Sequence, residues 1–382
     1  MKTYVIYCLA AAVVAWIFAF TATPLSRIFA YAIGALDVPK EARRVHKRTT
    51  PLLGGLAIWF GFSITSVLFC GVSRSSVAML CGAALIVTVG VFDDRLSLPA
   101  MLKFILQIAI ATGTVLLGDI SIKEITVLGK TFVFSPVLAV VLTVFWIVAL
   151  INAINLIDGL DGLACGVSCI GAISILLISV IYSNSYMAIF AAILIGSCLG
   201  FLPYNFNPAK IFMGDTGSMF LGYILAIMSI QGILSMHSLL AFITPIAVFG
   251  LPLLDTAFAF IRRILHGRSP FSADRGHLHH RLIDMGFTQK QTVCILYIIS
   301  ALLGMSAVIF SLRNLDESLV LFTNRRLMFS ACGTLIAGIV MFVAEFFIMH
   351  NYHMRRHSGL GLPGETDLDP TDNTKDGDAK KK

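Results

Sequence analysis

Long apolar runs, broken by short polar stretches, dominate this chain. Eleven of them are near the length a helix needs to cross a bilayer, about 20 residues: 3–23, 52–71, 76–92, 100–118, 134–154, 162–182, 186–204, 217–234, 239–260, 291–312 and 327–348. Unbroken apolar runs of this length predict helices rather than strands. The first is too long and apolar for a signal-peptide core, and Thr21-Ala22-Thr23-Pro24 is a poor cleavage site, so it reads as a span. Between 119 and 134, apolar and polar residues alternate (Ile120, Ile122, Ile125, Val127) up to Gly129-Lys130, which predicts a small external hairpin. From 358 to 382 the apolar period disappears and Gly, Pro, Asp, Thr and Lys take over, which predicts a disordered cytoplasmic tail. The expected fold is therefore an all-α polytopic membrane protein, with about eleven transmembrane helices in one domain over 1–350.

Composition agrees: the chain is 57% hydrophobic and 13% charged, whereas soluble domains are about one quarter charged. Its eight cysteines have neither zinc-finger spacing nor a disulfide framework. Charge placement sets the orientation. The loops after the odd-numbered runs hold 14 Lys/Arg and those after the even-numbered runs hold six. Basic loops stay in the cytoplasm, so the N-terminus is expected outside and the C-terminus inside. The acids were not used in this count, yet the polar stretches that carry them all fall on the cytoplasmic side.

Asp93-Asp94 closes the third run. Adjacent carboxylates at a membrane surface resist ionising together unless a cation is near. They read as a metal-diphosphate site or a general base, or as a solvated helix end beside Arg95. Lys103, inside the next apolar run, either snorkels or faces these acids, and the second is favoured. Asn152, Asn155 and Asp158 recur every third residue and share a helical face, and Asp161 continues the spacing. Amide and carboxylate oxygens are the hard donors that Mg²⁺ or Mn²⁺ prefers.

Asn207 and Asp215 precede the eighth run. Asp215 or Thr216 is a natural helix N-cap, and a helix N-terminus beside glycines also suits a phosphate. Asp255 is an intramembrane acid that must face protein or water. Arg275, His277, His279, His280 and Arg281 crowd seven residues with no cysteine near, which fits an anionic substrate better than structural zinc. Lys47 belongs to a basic first loop that either fixes topology or binds phosphate.

Together, Asp93-Asp94, the Asn152–Asp161 run, Phe212-Met-Gly-Asp-Thr-Gly-Ser218 and Arg275-Gly-His-Leu-His-His-Arg281 resemble the motifs of the polyprenyl-phosphate N-acetylhexosamine-1-phosphate transferases. The resemblance runs from about Pro39 to Asp284. It implies an enzyme of the bacterial cytoplasmic membrane that moves a sugar 1-phosphate from a UDP-N-acetylhexosamine to undecaprenyl phosphate and releases UMP, with Mg²⁺ or Mn²⁺ as cofactor. The His-Leu-His-His-Arg-Leu sequence is similar to the branch that uses UDP-GlcNAc to begin cell-surface glycans. The branch that uses UDP-MurNAc-pentapeptide typically has three consecutive histidines followed by Phe-Glu.

The resemblance further implies that Asp215 holds the metal with Asn155 and Asp158. It makes Asp93, with Asp94 beside it, the catalytic acid pair, Asp93 deprotonating the lipid phosphate. An aspartate acting as covalent nucleophile stays open. Lys47, Lys103, Asn152, Asp161, Asn207, Asp255, Arg275, His277, His279 and His280 are the expected substrate contacts. Ser97 stands where the family often has a third acid, which places the metal away from Asp93-Asp94. Membrane lipids are expected partners, nucleic acid is not, and a homodimer is left open. An ion-coupled transporter is the rival class, but it would gather its acids near the midplane and show inverted repeats.

Overall fold

The computed structural model describes residues 2–38, 49–127, 130–232, 239–265 and 277–312. All of them belong to one compact unit, Met1–Cys332. The expected span at 327–348, the tail, Lys47 and Arg275 lie outside the described residues.

In chain order the elements are α1 (Lys2–Ile33), β1 (Leu36–Asp37), β2 (Thr50–Pro51), α2 (Gly55–Phe69), α3 (Arg74–Leu96), α4 (Ala100–Gly118), β3 (Glu124–Val127), β4 (Lys130–Val133), α5 (Pro136–Ile157), α6 (Leu163–Ile181), α7 (Ser185–Asn205), α8 (Gly214–Gly232), α9 (Leu239–Val248), α10 (Gly250–Leu265), α11 (Leu278–Asp284) and α12 (Gln289–Leu312). Seven helices among the described residues are long and apolar enough to span a membrane: α1, α3, α4, α5, α6, α7 and α12. The expected hairpin is present as β3 and β4, paired antiparallel from Glu124 opposite Val133 to Val127 opposite Lys130.

The helices start and stop where local chemistry directs. Ser73 caps α3 by accepting from the Ser76 N–H, and the Ser76 side chain answers with a bond from the Ser73 N–H. Ser135 caps α5, and Pro136 at its first position gives up no helical hydrogen bond. Three expected spans take other forms. α2 is only 15 residues long. α8 carries Gly214, Asp215, Thr216, Gly217 and Ser218 in its first turns, and every residue from Thr216 to Ile230 is buried. It packs against α2, α3, α5, α6 and α7, so protein rather than lipid surrounds it, and it need not be apolar throughout. The run expected as one span at 239–260 is two helices, α9 and α10, that meet at Phe249. Pro252 stands in the first turn of α10, where its missing N–H costs no helical bond, so a new helix starts there.

Helix ends alternate along the chain. The C-terminal ends of α1, α3, α5 and α7 and the N-terminal ends of α2, α4, α6, α8 and α12 therefore come together around one cavity of about 740 Å³.

Candidate active site at the gathered helix ends

Among the described residues the cavity wall carries six aspartates and one lysine: Asp37, Asp93, Asp94, Asp158, Asp161, Asp215 and Lys103. Such an excess of acid favours cations. Lys103 projects from the first turn of α4, and its Nζ donates to Asp93 Oδ2 at 2.7 Å and to Asp215 Oδ2 at 2.8 Å. Asp93 Oδ1 accepts from the Leu98 N–H at 2.8 Å, which holds the carboxylate as the chain turns out of α3. Ser97 supplies that turn by adopting a left-handed conformation (φ 52) as the helix C-cap.

Asp215 also receives the Asn155 amide at 3.5 Å, and Ser218 Oγ donates to Asn155 Oδ1 at 3.4 Å. The α5 end and the α8 start are thus joined through the two residues expected to share a metal. Asp158 follows α5 and lines the same cavity. Burial, then the charges of Asp215, Asp94 and Asp161, push its carboxyl well above the usual carboxylate range. A carboxylate held in this way gains from a nearby cation.

Asp161 faces its neighbours in the loop before α8. Its Oδ2 accepts from Asn207 Nδ2 at 2.9 Å and from the Ala209 N–H at 3.0 Å. Asn207 Nδ2 also donates to Gln289 Oε1 at 2.6 Å. Asn205 brackets the same loop, accepting from the Gly162 N–H at 3.1 Å and donating to the Ile211 carbonyl at 3.1 Å. Asn152 lies deeper in the bundle, where it bonds Gln107 Oε1 at 2.8 Å rather than lining the cavity.

The histidine stretch packs against the turn between α5 and α6, at Gly159. His277 Nδ1 lies 2.8 Å from Asp255 Oδ2, and the Leu278 N–H donates to Asp255 Oδ1 at 3.0 Å, so Asp255 anchors the start of α11. The His279 ring stacks on His277 with centroids 5.8 Å apart. It covers Gly159 so closely that a β-carbon there would stand 2.3 Å from its Nε2, which explains a glycine after Asp158. Among the described residues, neither ring nitrogen of the buried His279 has a hydrogen-bond partner. Burial, followed by the neighbouring His280, pushes its pKa down to about 3, so it is neutral near neutrality. His280 lines the cavity.

Sequence reasoning missed Gln107, Gln289 and Asn205, and the N-cap expected at Asp215 or Thr216 lies inside the first turn of α8 instead. Gln107 carried a legible signal, one helical turn after Lys103 in an otherwise apolar run. Gln289 carried none, because only the fold brings the start of α12 to the loop before α8.

Among the described residues, no three His, Cys, Asp or Glu side chains converge tightly enough to hold a metal by themselves. Mg²⁺ commonly takes one or two carboxylates plus waters and substrate phosphates rather than an all-protein cage. Asp215, Asp158 and the Asn155 amide fit that kind of site. Lys103 already supplies one positive charge to Asp215.

Comparison with known proteins agrees with this geometry. Residues 76–233 match the family described as Glycosyl transferase family 4. The chain is 39% identical over 291 residues to a probable undecaprenyl-phosphate N-acetylglucosaminyl 1-phosphate transferase of Bacillus subtilis, covering 75% of this chain and 80% of that one. It is 36% identical over 312 residues to a decaprenyl-phosphate N-acetylglucosaminephosphotransferase of Mycolicibacterium smegmatis, covering 74% and 77%. To the undecaprenyl-phosphate alpha-N-acetylglucosaminyl 1-phosphate transferase of Escherichia coli K12 it is 28% identical over 358 residues, covering 92% and 96%. With its acids, amides and lysine gathered at one end of a helical membrane bundle, the chain belongs to glycosyl transferase family 4.

Proposed function

We propose that this protein transfers N-acetylglucosamine 1-phosphate from UDP-GlcNAc to a polyprenyl phosphate, releasing UMP, at the cytoplasmic face of a bacterial membrane. The observation that carries the proposal is the meeting of Asp93, Lys103 and Asp215 in one acid-lined cavity at the gathered helix ends. The polyprenyl acceptor in the relatives' names supports the lipid, and the basic loops on that side support the orientation.

In the reaction, an oxygen of the lipid phosphate forms a bond to the β-phosphorus of UDP-GlcNAc. The bond from that phosphorus to the bridging oxygen breaks, and the oxygen leaves on UMP. Asp93 accepts the proton of the lipid phosphate, because it ends α3 where a lipid headgroup must sit. Lys103 offers its charge to the diphosphate as the leaving oxygen gains electrons. Asp215, Asp158 and Asn155 would hold Mg²⁺ or Mn²⁺, whose chemistry is to neutralise diphosphate charge. Asp161, Asn207 and the histidines of α11 hold the loops that frame the donor.

Purified protein offered polyprenyl phosphate with either UDP-GlcNAc or UDP-MurNAc-pentapeptide tests the reading. UMP release with the first donor is the expected result. Release with the second alone would overturn it.

A further inference from the structure

Asp93 and Asp94 are adjacent in sequence but are used differently. Asp93 faces Lys103, whereas Asp94 turns under the start of α8. Its Oδ1 accepts from the Asp215 N–H at 2.8 Å. Its Oδ2 accepts from the Thr216 N–H at 3.1 Å and from Thr216 Oγ1 at 2.6 Å. Three donors thus occupy most of the about four lone-pair sites of one carboxylate.

The first N–H groups of a helix have no partner within it, and a side chain just before the helix usually supplies one. Before α8 stand Phe212 and Met213, which cannot. Gly214 is left-handed (φ 71) and turns the next two N–H groups toward α3. One turn before Asp94, Gly90 lies against the Thr216 backbone, where a β-carbon would stand 2.4 Å from the Thr216 Cα. That contact brings α3 near enough for Asp94 to reach the end of α8. A negative charge there also suits the helix dipole.

We propose that Asp94 is a positioning residue: it caps α8 from α3 and so fixes the direction in which Asp215, in the first turn of α8, points toward Lys103 and Asn155. The proposal rests on Asp215 acting at the reacting phosphates. It gives the two acids separate tasks, with Asp93 facing the substrate and Asp94 holding the helix that carries Asp215.

Thr216 provides the cleanest test. Thr216→Val keeps shape and both N–H donors but removes the hydroxyl that binds Asp94. It is expected to lower kcat several-fold, because Asp215 loses one of the bonds that fix its helix, with little change in KM for the donor. Thr216→Ser keeps the hydroxyl and is expected to recover the lost kcat. Asp94→Asn places an amide NH₂ against these donors and lowers kcat similarly. Because both substitutions weaken the same Asp94–Thr216 contact, the double variant should lose less than the two single losses combined. Mn²⁺ affinity, read by electron paramagnetic resonance, should fall far less in Asp94→Asn than in Asp215→Asn.

Parental kcat in Thr216→Val, or a fully additive double variant, would overturn the proposal. So would a loss of Mn²⁺ affinity in Asp94→Asn equal to that of Asp215→Asn, which would make Asp94 a metal ligand. If Asp94→Asn fails to fold, the Thr216 pair alone decides. Full turnover in Asp215→Asn would instead defeat the underlying reading of Asp215.

Discussion

Replacing Lys103 with methionine should tighten divalent-metal binding while slowing turnover. The lysine ammonium lies 2.7 Å from Asp93 and 2.8 Å from Asp215. A metal on a carboxylate oxygen sits about 2.1 Å from it, which places a dication on Asp215 about 4 Å from the ammonium. A single and a double positive charge at about 4 Å repel by about 2 kcal/mol at the dielectric of water and by about 8 kcal/mol at an effective constant of 20. The Lys103 side chain is only 22% exposed, so the lower figure, which assumes full water screening, is a floor. Since about 1.4 kcal/mol is tenfold, the lower figure corresponds to about thirtyfold tighter binding in Lys103→Met. Turnover falls all the same, because the diphosphate loses a cation. The variant should also melt lower without metal and recover when metal is added, since a ligand that binds only the folded state stabilises it. A Mn²⁺ titration without UDP-sugar, followed by electron paramagnetic resonance, measures the affinity. Equal or weaker binding in the variant would refute the idea that Lys103 and the metal share the Asp215 charge.

Asp215→Asn should insert and fold yet lose most Mg²⁺-dependent turnover, because the amide lacks the charge a hard cation needs; near-parental rates with unchanged Mg²⁺ dependence would remove Asp215 from the metal shell. Asp93→Asn should lose more rate on the acid side than at about pH 9, because the acceptor phosphate, with a second pKa of about 6, is already deprotonated there; an equal loss at every pH would argue against a base. His279 is held neutral with its pKa pushed down to about 3, so the unfolded chain takes up its proton first as pH falls below the ordinary histidine value. Stability should therefore drop by up to about 1.4 kcal/mol per pH unit between those two values. Thermal melts of His279→Asn against the parent should show a flatter acid limb, and identical limbs would contradict the burial argument.

Seven of the spans, the hairpin and the polar stretches that line the cavity were readable from sequence because hydropathy and turn chemistry are local. What escaped needed the third dimension. The α9–α10 break falls just before Pro252, whose effect on a helix a hydropathy window averages away. α8 read as a span over 217–234, yet its first turns are polar and its residues are buried, because neighbouring helices rather than lipid surround it. Asp93, Asp158 and Asp215, which line the cavity, could be named as candidates from their neighbours in sequence. The division of labour between Asp93 and Asp94 could not, since adjacent residues on a helix end point about 100° apart and only the packing of α3 on α8 shows what each one meets. Likewise, the sequence alone does not show that the His279 ring lies over Gly159 and leaves no room for a side chain there.

The central claim is that the sugar and the β-phosphate move together. A donor radiolabelled both in the N-acetylglucosamine and at the β-phosphorus, incubated with the protein and polyprenyl phosphate, tests it directly. The account predicts both labels in the organic-extractable lipid in equal proportion, with unlabelled UMP in the aqueous phase. Sugar label in the lipid with the β-phosphorus left behind in UDP would contradict it.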